Sequence, residues 1–367
     1  MVERSAKGFS PTLETVAQRA GVSRATVSRV INGNRNVDPE IQSVVRMAID
    51  ATGYVPNRAA RSLVTRKSEA IALVVSGAGT GIPDGIDTPV EPGTVDGAPV
   101  PRGTLDNQVL HDPFFGRITA GVIGYLRPRA MYPVLLLADS QEARDQVTLF
   151  LRQGHADGAV LVSTHADDPL PEALTDAGIP VALFAKPTHP VEASYVDLAH
   201  NEGGVLAAQR LHRQGRRRMV CISGPLDVPA AQLRLKGFEE ALAFYDHPRL
   251  RHVEGNFTQE SGERAMEYLL GVEPRLDGVF AANDLMAQGA LHVLREHGRR
   301  VPEDVSVVGF DDSSAATASR PTLTTVRQPI EEMAAEMTRL LVERIEDPSL
   351  EPTSVIFGPT LVERQSG

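Results

Sequence analysis

A chain of 367 residues is long enough for about two to three domains, and its 42% apolar and 23% charged residues are those of a globular protein, not a disordered or fibrous one. A single cysteine, Cys221, excludes an internal disulfide and suits a reducing cytoplasm; no apolar run nears the ~18 residues of a membrane span, and the opening MVERSAKGFS has no apolar signal core, which argues against export. The net charge of -10 is unevenly spread: residues 1–70 hold 11 Lys and Arg against 6 Asp and Glu, so a small basic head suited to nucleic acid precedes a large acidic body.

The stretch Thr12–Ile31, TLETVAQRAGVSRATVSRVI, predicts two short helices around a tight turn. Leu13, Val16, Ala17 and Ala20 recur at helical spacing and give the first helix one apolar face. Gly21 ends it, because glycine accepts the left-handed backbone of a helix C-terminus. Ser23 stands where an N-cap belongs. Val27, Val30 and Ile31 turn to one side of the second helix, while Arg24, Ala25, Ser28 and Arg29 face elsewhere. Two helices joined by a Gly-containing turn, the second showing arginines at its start, make a helix-turn-helix that lays its second helix in the major groove. After the turn-rich NGNRN, Asp38-Pro39-Glu40 signals a third helix, with a stripe of Ile41, Val44, Val45, Ala48 and Ile49 and a stop at Gly53.

YVPNRAARSL, following VSRATVSRVINGNRNV, resembles the lactose-repressor-type (LacI/GalR) transcription regulators, densely over residues 12–72. The resemblance implies that Arg24, Ala25 and Arg29 read bases. Thr26 and Ser28 then support them, mainly at phosphate, with Thr12 and Asn32 as further DNA contacts. It also implies a hinge helix over residues 57–65 that folds on operator DNA, with Asn57, Arg58 and Ala60 at the DNA and Leu63 as a minor-groove wedge. The physics agrees: nine residues are too few for a stable isolated helix, and an exposed leucine makes sense if it enters and kinks a base step. Arginine at a base-reading position favours guanine.

Residues 70–76, AIALVVS, read as a strand buried on both faces of a parallel sheet. Residues 77–110 hold seven Gly and five Pro, a composition that supports no helix or central strand, so they predict a long flexible insertion in the family pattern. Gly77, Gly79 and Gly81 do not form a dinucleotide fingerprint, since the third glycine position falls on Ile82 and no helix opens there. From Asp112 onward strands (PVLLLA, GAVLVS, IPVALFA, RMVCIS, GVFAAN, VSVVGF) alternate with helices beginning near 143, 170, 201, 232, 261, 285 and 329. Alternation gives parallel sheets, and eight or more strands suggest two lobes.

The expected fold class is therefore α/β. The resemblance specifies an all-α helix-turn-helix head (1–56), a hinge helix and linker (57–69), and a two-lobe periplasmic-binding-protein-like core (70–367) of two flavodoxin-like sheets. The first lobe is expected over 70–196 and 330–352 and the second over 197–327 and 353–364, with crossovers near Tyr195–Leu198, Arg327–Ile330 and Thr353–Val355.

Polar and aromatic groups at strand ends mark the ligand cleft: Asp112, Phe114, Phe115, Ser163, Lys186, Asp197, Arg234, Asn283, Asp311 and Gln328, with Phe257 as an aromatic wall. By motif, the resemblance makes Asp112, Arg234, Asn283 and Asp311 the main effector contacts. Asn283 and Asp284 equally suit a helix cap. Lys186 replaces the arginine usual in the family and loses its bidentate fork. With no Arg/Lys cluster or anion nest, a phosphate ester is disfavoured. The set favours a neutral mono- or disaccharide, with a purine as the alternative. Neither a cofactor nor a metal is called for. An enzyme acting through Asp112, Asp311 and Asp312 finds no nucleophile elbow, metal-ligand His spacing or phosphate loop. An exported sugar-binding protein contradicts the basic head. The expectation is a cytoplasmic homodimer that binds double-stranded DNA at a pseudo-palindrome and no membrane; LVERQSG has no leucine heptads for a coiled-coil tail.

Overall fold

The computed structural model describes residues 11–31, 37–55, 67–76, 112–163, 165–247 and 250–367. The expected hinge residues Asn57, Arg58, Ala60 and Leu63, together with Asn32 and the 77–110 insertion, lie outside the described residues. The chain divides into two compact units, Met1–Ser68 and Glu69–Gly367.

The first unit is three helices, α1 (Leu13–Ala20), α2 (Arg24–Ile31) and α3 (Pro39–Thr52). Each starts and stops on the residue its chemistry dictates. Thr12 caps α1 in a reciprocal box with Thr15, and Gly21 closes it at φ 68°. Ser23 Oγ accepts the Thr26 amide at 3.1 Å, and Asp38 accepts that of Glu40 at 2.8 Å. Val16, Ala17, Val27, Val30, Val37, Val45, Ala48 and Tyr54 form the shared core. Ile41 and Val44, expected in the apolar stripe, are 37% and 40% exposed, because two eight-residue helices cover only part of a fourteen-residue one.

The second unit holds two six-stranded sheets. The first is ordered β11 (Ser354–Phe357), β5 (Ser194–Leu198), β4 (Val181–Phe184), β3 (Ala159–Ser163), β1 (Ala70–Ser76), β2 (Tyr132–Ala138), all parallel. The second is ordered β12 (Thr360–Val362), β10 (Thr324–Arg327), β9 (Ser306–Asp311), β8 (Gly278–Ala281), β6 (Met219–Ser223), β7 (Arg251–Glu254), parallel except for β12 against β10. Between strands run α4 (Pro113–Leu126), α5 (Gln141–Arg152), α6 (Leu170–Asp176), α7 (His200–Arg213), α8 (Pro229–Phe244), α9 (Gln259–Val272), α10 (Asp284–Glu296), α11 (Ser314–Ala318) and α12 (Ile330–Glu346). Ile71–Ser76 is buried throughout, as helices on both faces of a parallel sheet require. Cys221 is fully buried in β6, and burial pushes its thiol up, away from reactivity.

Among the described residues, the chain passes between the sheets three times. Two passages, after Leu198 and after Arg327, match the expected crossovers. The third does not: Ser354–Phe357 pairs in parallel with Tyr195–Leu198, so this strand belongs to the first lobe and the passage lies between Phe357 and Thr360. A four-residue apolar run carries no sign of which sheet it joins, and the expected second lobe over 353–364 began several residues early. Residues 197–198 likewise finish a first-sheet strand.

Candidate nucleic-acid interface and effector cleft

In the head, burying Val27 and Val30 fixes which residues α2 turns outward. Arg24, Ala25 and Arg29 are exposed, and Thr26 and Ser28 half-buried, so the expected base-reading set shares one accessible face. Arg24 reaches back to Glu14 on α1, Nη1 to Oε1 at 2.9 Å, with both side chains mostly in water. Thr26 and Ser23 share a hydroxyl contact of 2.8 Å. Thr12 is exposed, and its hydroxyl caps α1.

In the core, the C-terminal strand ends of both sheets border a cleft of about 350 Å3, the place where open α/β sheets bind ligands. Of the residues expected there, Phe114, Lys186, Asp197, Arg234 and Gln328 line it. Arg234 is its hub. Burial costs a guanidinium dearly, so every donor must be matched. Nη1 donates to the Ala282 carbonyl at 2.6 Å, Nη2 to Gln328 Oε1 at 3.1 Å, and Nε to His200 Nδ1 at 3.3 Å. Its plane lies 3.8 Å from the Phe310 ring centre. Asp311 Oδ1 stands 3.6 Å from Nη1. Burial pushes the arginine down in pKa, against the pull of Asp311, Asp197 and Asp284.

His200 was not expected. Burial drives it down to about 4, so it is neutral at pH 7. Its Nδ1 accepts from Arg234, which leaves the proton on Nε2, 3.4 Å from Asp197 Oδ1. Asp311 is buried, and burial pushes its carboxyl up while Arg234 and Arg117 oppose. Its Oδ1 has no hydrogen-bond partner among the described residues. Asp112 caps α4 through the Phe114 amide at 2.9 Å; burial pushes it up to about 6, with Asp311 adding to the rise. A buried arginine facing an incompletely bonded carboxylate is an arrangement prepared for a ligand hydroxyl, which both accepts and donates.

The remaining expected residues take other roles. Asn283 caps α10, accepting from Met286 at 2.9 Å, and donates Nδ2 to the Phe257 carbonyl at 2.8 Å. Asp284 is not the cap: it is buried, receives Thr325 Oγ1 at 2.6 Å and the Ser313 amide at 2.7 Å, and is pushed up to about 8 by burial and by Asp311. Phe257 lies over Gly224, where a Cβ would stand 2.2 Å from its ring, and is not among the residues lining this cleft. Phe115 packs with the core, edge-on to Phe114 at 5.2 Å. Ser163 ends β3, and its side chain is outside the described set. Asp312 is held at both oxygens by Arg327 and Arg364, which outweigh burial and keep it below the usual range. Across the lobes His165 Nδ1 meets Asp227 Oδ2 at 2.6 Å, a contact that sequence spacing could not reveal.

A model of bacterial regulatory proteins of the lacI family matches residues 12–57, and one of the periplasmic binding protein-like domain matches residues 208–367. The HTH-type transcriptional regulator CelR of Thermobifida fusca is 43% identical over 364 residues, covering 97% of this chain and 98% of that protein. This chain belongs to the LacI family. The ribose operon repressor of Escherichia coli K12 is 30% identical over 359 residues, covering 97% and 99%. Among solved structures, a transcriptional regulator CelR–cellobiose complex superposes with a TM-score of 0.70 at 40% identity, covering 97% and 100%. The lac repressor dimer bound to operator and the anti-inducer ONPF shares the fold, TM-score 0.79 at 23% identity, covering 98% and 99%. The relatives are transcriptional regulators, and among the described residues no helix is long and apolar enough to cross a membrane.

Proposed function

We propose that this protein is a homodimeric repressor of carbohydrate-utilisation genes whose operator affinity is lowered by a neutral β-linked gluco-disaccharide of the cellobiose type. The observation that carries the effector class is Asp311: a buried carboxylate with one oxygen lacking a hydrogen-bond partner, set behind Arg234, which itself lines a cleft walled by Phe114. Sugar hydroxyls complete such a pair, and the apolar face of a pyranose lies on an aromatic ring. Arg234 is already balanced by surrounding carboxylates, so the site offers little to a phosphate. The 43% identity to CelR, and the cellobiose in its relative's complex, support this choice over ribose or a purine.

DNA is read by Arg24, Ala25 and Arg29, with Thr26, Ser28, Thr12 and Asn32 in support and Asn57, Arg58, Ala60 and Leu63 at the minor groove. Two heads read the halves of a pseudo-palindrome. The effector acts by binding two lobe arrangements unequally; a coupling of ~1–3 kcal/mol is typical. The protein catalyses no reaction on its ligand and acts in the cytoplasm. Titration calorimetry with cellobiose, ribose and hypoxanthine, alongside gel shifts on an operator with a central CG step, tests this. Cellobiose alone should bind and release the operator; release by hypoxanthine, or indifference to cellobiose, refutes the effector assignment.

A further inference from the structure

Helix α4, PFFGRITAGVIGYL, carries one charged residue, Arg117. Its side chain is 19% exposed, and every branch of the guanidinium is engaged. Nε and Nη2 grip the two oxygens of Glu331, each at 2.7 Å. Nη1 donates to the backbone carbonyl of Asp311 at 2.8 Å, and Nη2 to that of Gln328 at 3.1 Å. Glu331 opens α12 in the first lobe, whereas Asp311 ends a second-lobe strand and Gln328 lies in the passage between lobes. The two carbonyls belong to the residues whose side chains flank Arg234 in the cleft.

Backbone strain sits at the same point. Asp311 has φ 102° and Asp312 φ 53°, conformations that side-chain-bearing residues rarely adopt and that surrounding contacts must hold. A charged donor on the Asp311 carbonyl is such a contact. On its other side α4 is locked to α12: at Gly121 a Cβ would stand 2.3 Å from the Glu331 carbonyl, so the helices meet backbone to backbone there.

We propose that Arg117 is a positioning residue that holds Asp311 and Gln328 toward the effector and transmits a change at their subsite to helix α4 of the first lobe. This rests on reading the cleft as the effector site. A guanidinium suits the task because its rigid fork spans a carboxylate and two carbonyls at once, which a lysine ammonium on a flexible stem does not.

The test uses full-length protein carrying Arg117→Met, which keeps the aliphatic stem without the donors, and Arg117→Lys. In the first arm, effector-free hydrogen exchange is followed by mass spectrometry. Peptides covering 309–313 and 327–331 should exchange about tenfold faster in R117M, with β6 unchanged. In the second arm, the ratio of operator Kd with saturating cellobiose to that without is measured. It should fall toward one in R117M, with R117K between R117M and the parent. A purely structural role would lower the melting temperature and leave this ratio intact. Parent-like exchange at both peptides, or a parent-like ratio, overturns the proposal. A parent protein that ignores cellobiose refutes the sugar assignment alone, and the exchange arm still decides the grip. Should R117M fail to fold, Glu331→Gln, which loosens the anchor with Arg117 in place, carries both arms with the same expected direction.

Discussion

The head and the cleft, as proposed, both work through arginines, under opposite conditions. Arg24 stands in water, 69% exposed, paired with Glu14. Arg234 is 5% exposed, and it meets a carbonyl, an amide oxygen, an imidazole, an aromatic face and a carboxylate. An exposed ion pair contributes about 0–1 kcal/mol, so Arg24 can leave Glu14 for a base edge at little cost. A buried charge stripped of its partners costs several kcal/mol, so Arg234 holds its place and the cleft around it stays shaped. In the proposed roles, one arginine reads by moving on a rigid rod, and the other senses by staying fixed.

That contrast breaks first at Arg234. Arg234→Ala should destabilise the core by about 3–5 kcal/mol, because Asp311 is left buried without its cation, and should abolish cellobiose binding. Urea unfolding and calorimetry measure both. Operator binding at low temperature, where the variant stays folded, should persist without response to sugar. Arg29→Ala and Arg24→Ala lie at the other pole. Each should weaken operator binding by about 1–3 kcal/mol and relax the preference for guanine at one position. Stability should change by no more than about 0.5 kcal/mol, as for exposed residues. An R29A protein that unfolds, or one that binds its operator normally, removes the distinction.

A smaller effect separates the charge of the cleft from its shape. Asp284 is pushed up to about 8 in the folded protein, against 3.8 ordinarily. A raised carboxyl stabilises the fold while it keeps its proton, and that contribution falls as pH rises through the folded value. The melting temperature should therefore drop between pH 6 and 8.5. Asp284→Asn imitates the protonated acid, with its oxygen for the Ser313 amide and its amino group for Thr325 Oγ1. It should flatten that slope; an unchanged slope places the titration elsewhere, with the buried Asp311, also pushed up by burial, next in line.

The two regions also differ in how far the sequence reveals them. In the head every decisive interaction is short-range: Ser23 with Thr26, Asp38 with Glu40, Gly21 ending α1. Caps and helical periodicity read off such contacts directly. In the cleft the decisive partners are 34 to 94 residues apart, as Arg234 is from His200 and Gln328. Residue type at a strand end pointed to Arg234 and Gln328, which line the cleft, and to Asp311 beside Arg234, because strand ends converge there. It could not tell Asn283, whose amide is used by its own helix and by Phe257, from a residue free to meet a ligand. Phe257 misled for a related reason: at φ 65° its ring turns onto Gly224, a turn that no periodicity encodes. His200 and Arg117 left only faint traces, a histidine three residues after Asp197 and a single charge in an apolar helix.

The smallest expected effect tests whether Arg24 is truly held in reserve. Glu14→Gln removes the acid that engages Arg24 at 2.9 Å between two side chains mostly in water. The pair contributes little, so the fold should be unaffected within about 0.5 kcal/mol. On DNA, however, Arg24 must leave Glu14, and Glu14 must approach phosphates of its own sign. Both terms oppose binding, and neither exceeds the energy of an exposed pair, so E14Q should tighten operator binding by at most about fivefold. The gain should shrink as salt rises from 50 to 200 mM, since screening weakens exposed charges. Anisotropy titrations at the two salt concentrations resolve such a change. Weaker binding by E14Q would mean that Glu14 aims Arg24 at its base and does not hold it back, and the head would then share the pre-set character of the cleft.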